Sequence, residues 1–249
     1  MKRMILMIAA LAIGTVAASA QDREINLEDL EDLNKIEITQ GSHLETDLEL
    51  FSPMYFGVSV LTNVNTHVPW SKSTMDLKTP KNFVYGLQLA DLHLRYNVLD
   101  VSLGLRWTFM DFTFSNSEYT IRPLKNTYTL EDNYTLYPID FEAQNYDGKK
   151  SKFHASYFGF PLRVGLKFGK TTVYAGASAE FLTEGYTKYK RPKYREQIKG
   201  AFNPFRATVE GGFSYGNLGV FVMYGLTPLF SDVMFAQANT LSFGLILGL

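Results

Sequence analysis

Cysteine is absent from the 249-residue chain. Disulfide bonds are therefore excluded, and so is attachment through a lipid-modified N-terminal cysteine. Long apolar runs are missing as well. After residue 20 nothing approaches the ~20 residues that a membrane-crossing helix needs. An excess of one charge is also lacking. A net charge of −1 gives no strong general attraction to nucleic acid or to acidic partners. His43, His67 and His93 have no metal-ligand spacing, and neither a metal nor a cofactor is expected.

What is present points to export. Lys2 and Arg3 supply a positive start, Ile5 to Ile13 an apolar stretch, and Ala18-Ser19-Ala20 a small-residue cleavage pattern. The apolar stretch is too short to span a bilayer, and Gln21-Asp22-Arg23-Glu24 follows at once. Residues 1–20 are therefore expected to be a cleaved signal peptide, 21–52 an acidic periplasmic extension, and 53–249 an outer-membrane β-barrel. In the extension Leu27, Leu30, Leu33 and Ile36 recur at helical spacing. They predict a short amphipathic helix, either a loosely ordered tail or an arm that docks a periplasmic protein.

The barrel expectation rests on period-two alternation, which separates residues onto opposite faces of a strand. The last residues are the clearest case: Leu241, Phe243, Leu245, Leu247 and Leu249 alternate with Ser242, Gly244 and Gly248, and Ile246 is the exception. The same reading gives eight antiparallel strands, at about 55–64, 84–96, 101–112, 155–168, 172–186, 205–215, 218–224 and 240–249. Short links around Asn97, Gly169-Lys170 and Gly216-Asn217 alternate with long ones. An up-and-down transmembrane barrel has such short periplasmic turns and long outer loops. Parity fails in the second strand, where Leu87 and Leu89 disagree with Leu92, Leu94 and Tyr96, so a β-bulge is expected near Ala90-Asp91. Aromatics form about 14% of the chain. Tyr96, Phe168, Tyr174 and Tyr215 fall near short turns, and Phe109, Phe112, Tyr157, Phe158, Phe181 and Phe205 near long loops, as two interfacial belts would.

The export signal, the even strand count and the ending Thr240-Leu-Ser-Phe-Gly-Leu-Ile-Leu-Gly-Leu249 resemble small OmpA/OmpX-like eight-stranded barrels. Tyr224-Gly-Leu-Thr-Pro-Leu-Phe230 is similar more particularly to the PorT-like outer membrane protein beta-barrel family. That resemblance implies an outer-membrane location and a part in protein secretion or surface assembly, and no catalytic motif. The terminal Leu249 departs from the final aromatic of many such barrels.

Four groups of residues are candidates for function. Arg95, Arg106, Arg163, Lys167, Glu180, Arg206 and Glu210 share the polar faces of their strands. An eight-stranded barrel is just wide enough for side chains to fill, so they form either a plugging salt-bridge network or, with their basic excess, a narrow anion-preferring path. Lys188, Lys190, Arg191, Lys193, Arg195 and Lys199 make an outer loop basic, with Tyr186, Tyr189 and Tyr194 interleaved. Lipopolysaccharide phosphates or plain solvation are expected there, not nucleic acid. The loop 113–154 carries Glu131, Asp132, Asp140, Glu142 and Asp147, and is expected to fold over the mouth and pair with the basic loop. His154 and Ser156, two apart on one strand face with Glu180 or Glu184 on the next strand, are similar to the residues of outer-membrane lipid A deacylases.

The leading expectation is a monomeric barrel in contact with outer-membrane lipid, with a structural, adhesion or secretion-assembly role. A lipid-modifying enzyme and a narrow pore are the alternatives. The exported chain is expected to begin at Gln21 when its mass is measured; a mass retaining residues 1–20 would overturn the signal-peptide assignment.

Overall fold

The computed structural model describes residues 38–40, 44–66, 77–125, 132–139, 150–190 and 193–248. The expected signal peptide, the expected helix at Leu27 to Ile36, Arg191, and the loop acids Glu131, Asp140, Glu142 and Asp147 lie outside the described residues, as does the side chain of Asp132.

The fold is all-β. Among the described residues thirteen strands follow in order: β1 (Ile38–Gln40), β2 (Leu44–Leu50), β3 (Met54–Thr66), β4 (Phe83–Tyr96), β5 (Leu99–Thr113), β6 (Tyr119–Lys125), β7 (Asp132–Pro138), β8 (Lys150–Phe168), β9 (Thr171–Lys190), β10 (Tyr194–Gln197), β11 (Phe205–Tyr215), β12 (Leu218–Gly225) and β13 (Ala236–Leu247). Among the described residues no helix is long and apolar enough to cross a membrane. One large sheet runs β1-β2-β4-β3-β13-β12-β11-β9-β8-β5, with β10 on β9 and a further pairing of β4 with β5. Its ladders are antiparallel, and β6–β7 form a separate hairpin.

Local chemistry sets the turns. Two residues each join β4–β5, β8–β9 and β11–β12. Asn97, Gly169 and Gly216 open these turns at φ of 53°, 61° and 60°. That left-handed backbone suits glycine and asparagine and matches the twist of hairpin strands. The links β3–β4, β5–β8, β9–β11 and β12–β13 are all longer.

The two faces differ as the alternation predicts. On β5, Ser102, Gly104, Arg106, Thr108 and Met110 are buried, whereas Leu103 and Trp107 are exposed. On β8, Phe160, Leu162, Val164, Leu166 and Phe168 are exposed while Arg163 is buried. Ile246 joins the buried side of β13. The bulge of β4 sits between Gln88 and Ala90, slightly before the expected place, and moves the buried set from Val84 and Gln88 to Asp91. A second bulge, not anticipated, leaves Thr183 of β9 extra opposite Ser156 and Tyr157. Three belt aromatics are corrected: Phe112, Tyr157 and Tyr174 point to the buried side.

The expected boundary at residue 52 is also corrected. Leu44–Leu50 of the acidic segment forms β2 and pairs with Ala90–Tyr96 of β4, next to where β3 pairs with Phe83–Leu87. Phe51 N–H donates to Leu89 O (3.2 Å) and Gln88 N–H to Pro53 O (3.1 Å), which holds the break between β2 and β3 against β4. The run Leu44-Glu-Thr-Asp-Leu-Glu-Leu50 alternates, and its acids lie opposite Arg95, His93 and Asp91.

β3 and β13 meet closely at Gly57 and Gly244, which are cross-strand partners. A Cβ on either would run into the partner strand's backbone at Phe243 or Phe56. Gly244→Val is therefore expected to lower the unfolding free energy by at least about 1–3 kcal/mol, as over-packing does. Gly211→Ala, where the nearest atom is at ordinary contact distance, is expected to be tolerated. Denaturant titration of both variants checks this.

Candidate functional site

The buried face gathers three arginines and three carboxylates. Glu210 on β11 bridges Arg106 of β5 and Arg163 of β8, the latter with Nε 2.5 Å from Oε1. Arg163 Nη1 reaches Asp91 Oδ2 on β4 at 3.0 Å, and Nη2 donates to Gln88 Oε1 at 2.6 Å and to the Tyr55 hydroxyl. Glu180 on β9 takes Arg106 Nη2 at 3.1 Å and Arg206 Nε at 2.8 Å. Arg206 continues to the sulfur of Met110 at 2.9 Å. Aromatic faces complete the enclosure: Tyr55 under Arg106 and Arg163, Tyr174 under Arg163, and Tyr157 under Arg206. Arg106 and Arg206 are 1% exposed and Glu180 0%, so each charge relies on its partners rather than on water. Gly159 makes room for Glu180, since a Cβ there would strike Glu180 Cγ.

Of the seven polar-face charges, five meet in this cluster and two do not. Arg95 is held separately by Asp47 (2.8 Å), Asp100 (3.2 Å) and Glu49 (3.3 Å), with His93 on Asp100 at 2.8 Å. Lys167 is exposed and lines a crevice with Glu45, Arg95 and Asn97, so its expected membership is corrected. It stands beside the short β8–β9 turn, where its ammonium reaches water. Asp91, which balances Arg163, makes the cluster neutral, and the expected basic excess is absent from it.

The enzyme-like residues do not assemble. His154 Nδ1 is 3.0 Å from Asp111 Oδ1 and its ring stacks on Tyr186 at 4.6 Å. Ser156 Oγ is bonded to Thr183 Oγ1 at 2.7 Å. Glu180 belongs to the arginine cluster, and Glu184 pairs with Arg195 and accepts from Gln197 at 3.3 Å. Among the described residues no hydrogen bond links Ser156 to His154.

The long-loop end is capped. Phe112, Phe114, Phe153, Phe202 and Phe230 are fully buried, with Phe112 on Phe153 at 4.8 Å and Phe202 on Phe230 at 5.7 Å. The β6–β7 hairpin packs on the β9 extension through Thr120 Oγ1 and Thr187 Oγ1 (2.7 Å). Tyr134 exchanges backbone bonds with Val233 and Phe235. Loop 113–154 thus does reach the basic loop, and an ion pair described there is Arg122 with Glu196 at 4.0 Å. Tyr194 donates to Glu196 Oε2 at 2.8 Å, and burial and that carboxylate push its phenol above the usual value.

The basic residues disperse in part. Lys188, Lys190, Lys193 and Arg195 line one groove, whereas Lys199 opens the 3₁₀ turn Lys199–Ala201 and does not. Lys150 and Lys152 of β8 join the groove and were missed, because they lie beyond the expected start of that strand at residue 155.

Replacing Glu210 by Ala leaves Arg106 and Arg163 each short of a buried partner, and is expected to cost about 3–5 kcal/mol in denaturant titration. A cost below about 1 kcal/mol, typical of exposed pairs, would mean that the cluster is solvated. No family model, curated protein or solved structure matches this chain.

Proposed function

We propose that this chain is an outer-membrane β-barrel, exported through a cleaved signal peptide and allied to the PorT-like small barrels. It serves as a non-conducting surface platform for adhesion or secretion assembly. Its barrel comprises β3, β4, β5, β8, β9, β11, β12 and β13, each with two neighbours in that set. Closure explains why Arg163 on β8 bonds Tyr55 on β3, and why Arg106 on β5 bonds Glu210 on β11, across strands that are not adjacent.

The single observation that carries the membrane reading is the inverted polarity of the two faces. Arginine and glutamate are buried while Phe160, Leu162, Phe213, Val220, Phe243 and Leu245 are each more than 40% exposed. A protein surrounded by water would do the reverse. Phe158 to Phe168 spans about 33 Å along β8 at ~3.3 Å per residue. With a tilt of about 40°, that gives the ~25 Å apolar band of an outer-membrane barrel.

The platform reading follows from the two ends of the buried space. Among the described residues the neutral ion cluster occupies the middle and the phenylalanine cap the long-loop end, which supports a lumen plugged by side chains. Beyond the apolar band, β8 and β9 continue to Lys150 and Lys190 and carry the β6–β7 hairpin and β10. Ordered strands projecting past the membrane suit a binding surface.

Two measurements test this. The chain is expected to float with membranes and to need detergent for release; recovery in solution after osmotic shock would overturn the barrel. In planar bilayers the purified chain is expected to give no steady conductance. Regular single-channel steps would overturn the platform reading in favour of a pore.

A further inference from the structure

Past the apolar band, on the same outward side of the sheet, the chain collects cations. β8 contributes Lys150 and Lys152, β9 Lys188 and Lys190, and β10 Arg195, with Lys193 just before it; with Tyr186 they line a groove of about 760 Å³. The strand register sets like charge against like charge. Lys150 lies opposite Lys190, Lys152 opposite Lys188, and Lys188 opposite Arg195. Directly opposed like charges on neighbouring strands repel and destabilise the sheet. Among the described residues only two carboxylates answer them, Asp111 at 3.9 Å from Lys152 Nζ and Glu184 paired with Arg195. Two of the cations nonetheless share one aromatic ring. The Arg195 guanidinium lies 3.8 Å over the Tyr186 ring and Lys188 Nζ 5.1 Å from its centre, while His154 also stacks on that ring. A rigid ring holding two cations keeps them in one array.

We propose that this groove binds the phosphate groups of a glycolipid in the outer leaflet. The proposal rests on the barrel reading above and deepens it. Charge complementarity gives the chemistry: six cations against two carboxylates leave an excess of four, which two phosphates on one headgroup, each carrying up to about two negative charges, neutralise. Continuity gives the source. Lys150 and Lys152 share the face of β8 that carries Phe158 and Phe160, so acyl chains lying on that band bring their headgroup to the groove.

The test uses the chain extracted in dodecyl maltoside and titrated by native mass spectrometry with four probes: bisphosphorylated lipid A, its dephosphorylated form, phosphatidylglycerol and inorganic pyrophosphate. Bisphosphorylated lipid A is expected to bind. The K152Q/K188Q variant is expected to weaken it roughly tenfold or more, as loss of two lysines beside an anionic surface does. K167Q/K170Q, at the short-turn end, is expected to leave binding unchanged. K152Q/K188Q is also expected to unfold at higher denaturant than wild type, since repulsion is relieved. Equal binding of the dephosphorylated lipid or of phosphatidylglycerol would overturn the proposal, as would pyrophosphate binding as tightly as lipid A, or unaltered binding by K152Q/K188Q. A chain recovered without detergent would overturn the barrel reading along with it. A detergent-dependent chain that fails a lipid comparison would overturn this inference alone.

Discussion

The double pairing of Glu210 is the interaction on which the rest depends. One carboxylate on β11 holds Arg106 and Arg163, from two strands that are not its neighbours. Buried charges are costly unless fully paired, and here each partner is fixed from several directions. Arg163 also needs Asp91, Gln88 and Tyr55. The cluster therefore constrains β3, β4, β5, β8, β9 and β11 at once. A shift of register by one residue in any of them would turn its charge to the exposed face and leave a partner unpaired. Charge pairing thus fixes the alignment of these strands.

Much of this was legible in the alternation. Arg106, Arg163, Arg206 and Glu210 each stand between apolar residues on their strands, so the sequence alone assigns them to the face opposite Leu105, Leu162, Ala207 and Val209. The bulge of β4 was legible for the same reason, as a break in parity. Partners were not legible: period two says which face a side chain occupies, not which distant strand lies across from it. Asp91 illustrates this, since only the folded register brings it to Arg163 and makes the cluster neutral.

The misses share a physical cause. β2 alternates leucine with acids, but its charge and its position before Pro53 resemble a solvated tail, and its pairing depends on β4 having a free stretch of edge. The bulge at Thr183 leaves no parity break among strongly apolar residues, so Gly185 and Thr187 gave no warning that the buried set had moved. Proximity to long loops assigns Phe112 and Tyr157 to a belt, yet both are fully buried. The cap that buries them is assembled from the 200s and 230s, which only tertiary structure brings there.

The contact of Gly57 with Gly244 has a consequence for assembly. β3 precedes β13 by about 170 residues, so its edge waits unpaired until β13 has been made. Long-range pairings of this kind slow folding, and an unpaired edge invites association with other chains. Whatever occupies that edge in the meantime has to be displaced by β13 itself. The glycine pair, which lets the two backbones come together without side chains in between, makes that final exchange sterically open.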